Sequence, residues 1–270
     1  MFRYHVTMAL AAIAFGCAVP AQAKTLCTII ADADSGQILL QQGDCESRVT
    51  PASTFKVPLA VMGFDAGFLA DERSPSFPFR EGYPDWVEAW KRDTDPTSWM
   101  KHSVVWYSQE IARSLGVSQL ETYASAFGYG NAAFAGDPGR DNALERAWIS
   151  SSLKISPVEQ VGFLRRLYNR DLPVGDRALD MTHRIVESWT AGGGWNVHGK
   201  TGSAFPRNAD GSFNYGRGWG WFVGWAKKGN DTFVFARLNQ DEKRVRGPAG
   251  LRARDAFLEE FPALAGSLAR

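Results

Sequence analysis

The run Thr50-Pro51-Ala52-Ser53-Thr54-Phe55-Lys56-Val57-Pro58-Leu59 marks the point where the chain changes character. Upstream, Thr28-Ile29-Ile30-Ala31, then Asp34-Ser35-Gly36, then Gln37-Ile38-Leu39-Leu40 reads as strand, polar turn, strand. Downstream, the apolar positions Phe55, Leu59, Val61, Met62 and Phe64 predict a mostly buried helix opening at Thr50-Pro51-Ala52. Helical signals then run to about Arg170. Ser108 to Leu115 and Ser118 to Phe127 are amphipathic. Ser156-Pro157 offers an N-cap and a proline at the first helical position, for a helix through Val161, Phe163, Leu164 and Leu167. Gly, Asn and Pro cluster between Gly128 and Gly139, which predicts a loop.

After about residue 195 strands return. Trp219 to Trp225 and Thr232 to Leu238 are rich in β-branched and aromatic residues, joined by a tight turn at Lys228-Gly229-Asn230-Asp231. A helix from about Gly250 to Phe261 closes the chain. Strands, then helices, then strands and a helix predict an α/β chain of the α+β kind. Its sheet subdomain would draw on residues of about 24–50 and 180–270, with a helical subdomain of about 51–179 inserted. Clefts between such parts are common binding sites.

With 270 residues, 44% hydrophobic and 22% charged, the chain has enough apolar material for one sizeable core. A formal charge of +1 gives no reason to expect nucleic acid as a partner. At the N-terminus, Arg3 precedes an apolar stretch from Val6 to Val19, and Ala21-Gln22-Ala23 is a small-x-small cleavage site. The stretch falls short of the roughly 20 residues of a spanning helix. A secretory leader over residues 1–23, cleaved after Ala23, is therefore expected, with a periplasmic catalytic domain over 24–270 and no stable membrane insertion. Lipidation at Gly16-Cys17 is the rival reading. Removal of Cys17 leaves Cys27 and Cys45, and an even pair in an oxidising compartment predicts a disulfide. Closing that loop would stabilise the fold by about 3 kcal/mol on the chain-entropy account.

The four histidines form no metal-binding pattern, so no metal site is expected. The absence of a Gly-x-Ser-x-Gly elbow argues against the common Ser-His-Asp arrangement. What remains is Ser-x-x-Lys chemistry. On a helix, residues three apart share a face, so a neutral lysine one turn from a serine is placed to accept its proton. The pattern occurs at Ser53/Lys56, Ser98/Lys101 and Ser151/Lys154. Only the first sits at a helix start with an apolar interior, Phe55. Lys101 and Lys154 lie in polar surroundings suited to ordinary solvated ammonium groups. Further on, Lys200-Thr201-Gly202 would place a cation and a hydroxyl on a strand edge, with Gly202 permitting close backbone approach.

Ser53-x-x-Lys56, Ser103-x-Val105, Tyr129-Gly130-Asn131 and Lys200-Thr201-Gly202, in this order, resemble the motifs of the class D serine β-lactamases, the oxacillinases. The likeness runs almost end to end through the mature chain and takes in the Trp148 segment and Gly250-Leu251-Arg252. It implies the fold shared with penicillin-binding proteins, an antiparallel sheet flanked by helices. It also implies residue roles. Ser53 would attack the lactam carbonyl. Lys56, carboxylated by carbon dioxide to N6-carboxylysine, would be the general base, with no metal or organic cofactor. Ser103 would relay protons to the leaving nitrogen, and Trp148 would donate its indole N–H to the carbamate. Lys200, Thr201 and Arg252 would hold the carboxylate of a small β-lactam, most simply a penicillin. The backbone N–H groups of Ser53 and Ser203 would form the oxyanion hole. Phe55 beside Lys56, and Val105 in place of an asparagine, would keep the lysine dry, which favours the neutral amine that reacts with carbon dioxide. The chain holds no Glu-x-x-x-Asn, so another base must activate the hydrolytic water. Tyr129 reads as support for the cleft. A non-hydrolysing β-lactam sensor is the alternative. Val105 speaks against a D-Ala-D-Ala peptidase.

Overall fold

A computed structural model describes residues 23–268, so the expected leader lies outside the described residues except for Ala23. The hairpin at the start is present as β1 (Lys24–Asp32) and β2 (Ile38–Gly43), with Ile30 opposite Leu40. A disulfide joins Cys27 of β1 to Cys45 just past β2, with the Cα atoms 5.1 Å apart and both residues buried. The chain then makes a 3-10 turn, Ala52–Phe55, and enters α1 (Lys56–Asp65).

Five helices follow: α2 (Pro96–His102), α3 (Val105–Phe127), α4 (Ala143–Arg146), α5 (Pro157–Tyr168) and α6 (Asp176–Ile185). The Ser156 start signal of α5 is a full capping box: its hydroxyl accepts from the Glu159 N–H while the Glu159 carboxylate accepts from the Ser156 N–H. Strands β3 (Glu187–Ala191), β4 (Trp195–Ala204), β5 (Trp219–Lys228) and β6 (Asp231–Gln240) precede the last helix, α7 (Ala249–Ser267).

The strands form one antiparallel sheet in the order β2-β1-β6-β5-β4-β3, so β1 from the start of the domain pairs with β6 from its end. Alternation along β5 splits the two faces. Trp221, Val223 and Trp225 join the core shared with the helices, and Phe222 and Ala226 join Phe257 and Phe261 of α7. Phe235 of β6 stacks on Phe257 at 4.3 Å between ring centroids.

Three expectations are corrected. The helical reading fails between α1 and α2, where residues 66–95 are almost entirely turns and isolated bridges. Gly67, Pro75, Pro78, Gly82 and Pro84 punctuate that stretch and outweigh its apolar residues. The last helix runs past Phe261 to Ser267, carrying Pro262 inside it. The ring of Pro262 rests where Gly192 has no side chain, an added Cβ there lying 3.1 Å from Pro262 Cγ. Finally, Ser53 sits in a 3-10 turn and not in the first turn of an α-helix. The two amphipathic runs after residue 105 are the halves of α3, broken at Gly116, whose φ of 76° leaves the helical region.

Candidate active site

In a 3-10 turn residues three apart eclipse one another, so Ser53 and Lys56 lie on one face. The Lys56 N–H closes the turn on the Ser53 carbonyl. Ala52 just before it has φ of 50°, a left-handed conformation that costs an L-residue about 1 kcal/mol. The surroundings over-determine that geometry. Thr54 donates twice to the Pro51 carbonyl, from its N–H at 3.2 Å and its hydroxyl at 2.7 Å. Gln160 of α5 donates to the Thr54 hydroxyl at 2.9 Å, and the Trp221 indole donates to the Thr50 carbonyl at 2.9 Å. The Thr50 hydroxyl in turn donates to the Trp148 carbonyl at 2.8 Å.

Phe55 packs beneath the turn against Tyr129, Phe134 and Trp148, the last nearly parallel at 5.4 Å. Tyr129 is buried behind this cluster, and burial raises its phenol far above the ordinary value. Among the described residues its hydroxyl meets only Gln160 and Thr54, so it supports the turn from behind. Among the described residues the Trp148 indole N–H has no acceptor, although the residue is 1% exposed.

Lys56 is 1% exposed. Burial, and then the Lys200 cation, hold its amine well below the usual lysine range. Its Nζ donates to the Ser108 hydroxyl at 2.8 Å, and that hydroxyl also accepts from the Trp99 indole at 2.8 Å. The Lys56 Nζ lies 5.9 Å from the centre of the Trp99 ring. Val105, at the start of α3, is buried in the same apolar surroundings.

Lys200 approaches from the sheet. β3 pairs with β4 only from Trp195 to Gly199, so Lys200–Ala204 is the uncovered part of that edge. Lys200 is buried, and its Nζ donates to the Ser103 hydroxyl at 2.5 Å. Desolvation pulls its pKa down to about 8, against the nearby Glu187 carboxylate, which favours the ammonium. Ser103 caps α2 in the left-handed region with φ of 54°, turning the chain back into α3. Thr201 is half-buried beside Lys200, and Ser203 is exposed, its hydroxyl accepting from the Gly250 N–H at 2.8 Å. Gly202 is wedged between two backbones. An added Cβ would stand 2.8 Å from the Pro51 carbonyl, and a Cβ on Gly250 would stand 2.5 Å from the Gly202 carbonyl.

Ser53, Lys56, Phe55, Trp148 and Tyr129 are thus tied together by packing and by the bonds around the turn, and Lys56, Lys200 and Ser103 by electrostatics and hydrogen bonding. Arg252 stands differently. Its guanidinium meets both oxygens of buried Asp241, at 2.8 and 2.7 Å, and the carbonyls of Arg246 and Gly247. Lys101 and Lys154 of the competing Ser-x-x-Lys pairs are exposed. Sequence reading missed Trp99, Ser108, Gln160, Thr54 and Asp241. Trp99 stood inside a dismissed tetrad, and Ser108 reads as an ordinary helix residue until the reversal at Ser103 folds α3 against α2. A groove of about 1390 Å³ is lined by Thr50, Ser150, Arg207 and Trp219 among others, but by neither Ser53 nor Lys56.

The arrangement is a buried, deprotonation-prone lysine beside a serine, facing a cationic strand edge. Residues 26–262 match the penicillin binding protein transpeptidase domain. Within that class the chain is 43% identical over 242 residues to β-lactamase OXA-9 of Klebsiella pneumoniae, covering 89% of this chain and 88% of that one. It is 35% identical over 212 residues to β-lactamase OXA-1 of Escherichia coli, covering 77% and 74%. The crystal structure of the OXA-427 class D β-lactamase superposes with a TM-score of 0.83 at 43% identity, covering 90% and 99%. The chain belongs to the class D serine β-lactamases.

Proposed function

We propose that Ser53 is the nucleophile and Lys56 the general base in hydrolysis of the β-lactam amide, penicillins being the first substrates to try. The observation that carries this is the state of Lys56: fully buried, eclipsed with Ser53 in a 3-10 turn, and held from protonation by burial and by Lys200. A base of this kind takes the Ser53 hydroxyl proton as Oγ bonds to the lactam carbon. Ser103, bonded to Lys200, stands on the route by which a proton reaches the nitrogen as the C–N bond breaks. Water then cleaves the Ser53 ester. Lys200 and Thr201 offer the substrate carboxylate a cation and a hydroxyl from the open half of β4. The N–H groups of Ser53 and Ser203 are assigned to the oxyanion.

Carboxylation of Lys56 by carbon dioxide fits these residues. The amine is neutral-prone, and the indole N–H of Trp148 donates to no acceptor among the described residues. The modification would supply a carboxylate-like base that a bare amine does not. Arg252 is assigned to the substrate carboxylate together with its partner Asp241, which fixes the guanidinium. No helix among the described residues is long and apolar enough to cross a membrane. The Cys27–Cys45 disulfide supports export to the periplasm after cleavage at Ala23, with residues 24–270 as one catalytic domain.

The test is steady-state hydrolysis of a penicillin by the mature protein and by Ser53→Ala. Catalytic turnover that Ser53→Ala abolishes is expected. Stoichiometric labelling of Ser53 without turnover would make the protein a β-lactam sensor instead.

A further inference from the structure

Ser108 lies wholly inside the protein, and its hydroxyl is saturated. A serine hydroxyl has one proton to give and two lone pairs to accept with. Here the Trp99 indole and the Lys56 amine take the two lone pairs, each at 2.8 Å, and the proton points at the Val104 carbonyl one helical turn back, at 3.4 Å. An indole N–H only donates, so one lone pair of Ser108 always faces Trp99. With its proton on the Val104 carbonyl, Ser108 faces Lys56 as an acceptor.

We infer that Ser108 is a positioning residue that holds one N–H of Lys56 before, during and after carboxylation. The inference rests on the reading of Lys56 as a carbamate-bearing base. A neutral amine has two N–H bonds and a lone pair. With one N–H committed to Ser108, the lone pair and the second N–H remain free for reaction with carbon dioxide. The nitrogen lone pair forms a bond to the carbon of carbon dioxide, one C=O π pair moves onto oxygen, and the second N–H proton leaves to solvent. The product is an N–H carbamate anion. The bond to Ser108 needs one N–H, and the carbamate retains one, so the lysine need not turn. Both modified and unmodified lysine fit the same acceptor, which keeps reloading of the site local.

The experiment uses the mature full-length protein, stripped of carbon dioxide by degassing at mildly acid pH and then titrated with 13C-bicarbonate. Penicillin hydrolysis and the 13C carbamate resonance are followed together. Ser108→Ala should need about tenfold more bicarbonate for half-maximal signal in both readouts, the scale of one lost hydrogen bond to a buried donor. Ser108→Thr, which keeps the hydroxyl, should stay within about threefold of the parent. Should Ser108→Ala not fold, Ser108→Cys keeps the volume with a poorer acceptor and should also raise the requirement. An unchanged bicarbonate requirement in Ser108→Ala or Ser108→Cys, with a carbamate resonance equal to that of the parent, overturns the role of Ser108 alone. A parent protein with no carbamate resonance overturns the reading of Lys56 and the inference with it.

Discussion

Lys200 and Ser103 join the two halves of the site: the ammonium on the open edge of β4 donates to a hydroxyl at the reversal between α2 and α3. The bond brings a cation near Lys56 without giving Lys56 an acid to pair with. Lys56 has burial and a like charge acting on it in the same direction, both against the ammonium. Lys200 has Glu187 to favour its own charge. Two buried lysines are thereby driven to different protonation states, one a cation at neutral pH and the other a base.

This sets the alkaline behaviour. With Lys200 at about 8, its ammonium is lost as pH rises, and a substrate carboxylate held there would lose its cation. KM for a penicillin should rise about tenfold between pH 7 and 9, following the protonated fraction. Stability should move the other way. The pKa in the folded state lies below that of the unfolded chain, so between about 8 and 10.5 the unfolded chain binds more protons and this group adds stability as pH rises. KM profiles and urea unfolding at each pH check both signs. A KM flat across pH 8 would remove Lys200 from substrate binding.

Tyr129 gives a second expectation. Its hydroxyl is buried and holds only a long contact of 3.4 Å from Gln160, besides Thr54. Tyr129→Phe keeps the ring contacts with Phe55 and Phe163 and should leave kcat within about threefold, with at most about 1 kcal/mol lost in unfolding. A loss of a hundredfold or more in kcat would make the phenol catalytic.

Arg252 and Asp241 are separable by a double mutant. Arg252→Ala leaves the buried Asp241 carboxylate uncompensated and should cost about 1–3 kcal/mol, less than for a fully buried pair because the arginine is partly exposed. Asp241→Asn in that background should restore much of the stability. If Arg252 also holds substrate, KM stays raised in both variants. KM returning to the parent value together with stability would leave Arg252 a purely structural role. Thermal unfolding and steady-state kinetics on the same preparations decide it.

Much of this was legible in the sequence because the signals were local. Enrichment in β-branched and aromatic residues gave β5 and β6, Ser156-Pro157 gave the start of α5, and the two cysteines left after an expected leader gave the bridge. Ser53 and Lys56 stand out as the proposed pair because three-residue spacing and an apolar neighbour carry chemistry without knowledge of the fold. What stayed hidden depends on distant chain segments meeting. Ser108 reaches Lys56 across 52 positions and Gln160 reaches Thr54 across 106, and neither spacing leaves a periodic trace. The Arg252 ion pair was hidden for the same reason, since an arginine-rich stretch reads as solvated until Asp241 is folded beneath it. Pro262 stands inside the last helix although proline usually ends one, and the hollow at Gly192 shows where its ring goes.

Release of the acylated serine by Lys56 is the central proposed step, and intact-protein mass spectrometry of Lys56→Ala mixed with a penicillin reads it directly. The parent should show little adduct at steady state while substrate disappears. Lys56→Ala should accumulate, slowly, a single penicilloyl mass on Ser53 that persists for hours with no further substrate consumed. Continued turnover by Lys56→Ala at the parent's rate, with Ser53 found free, would contradict the assignment of Lys56 as the base.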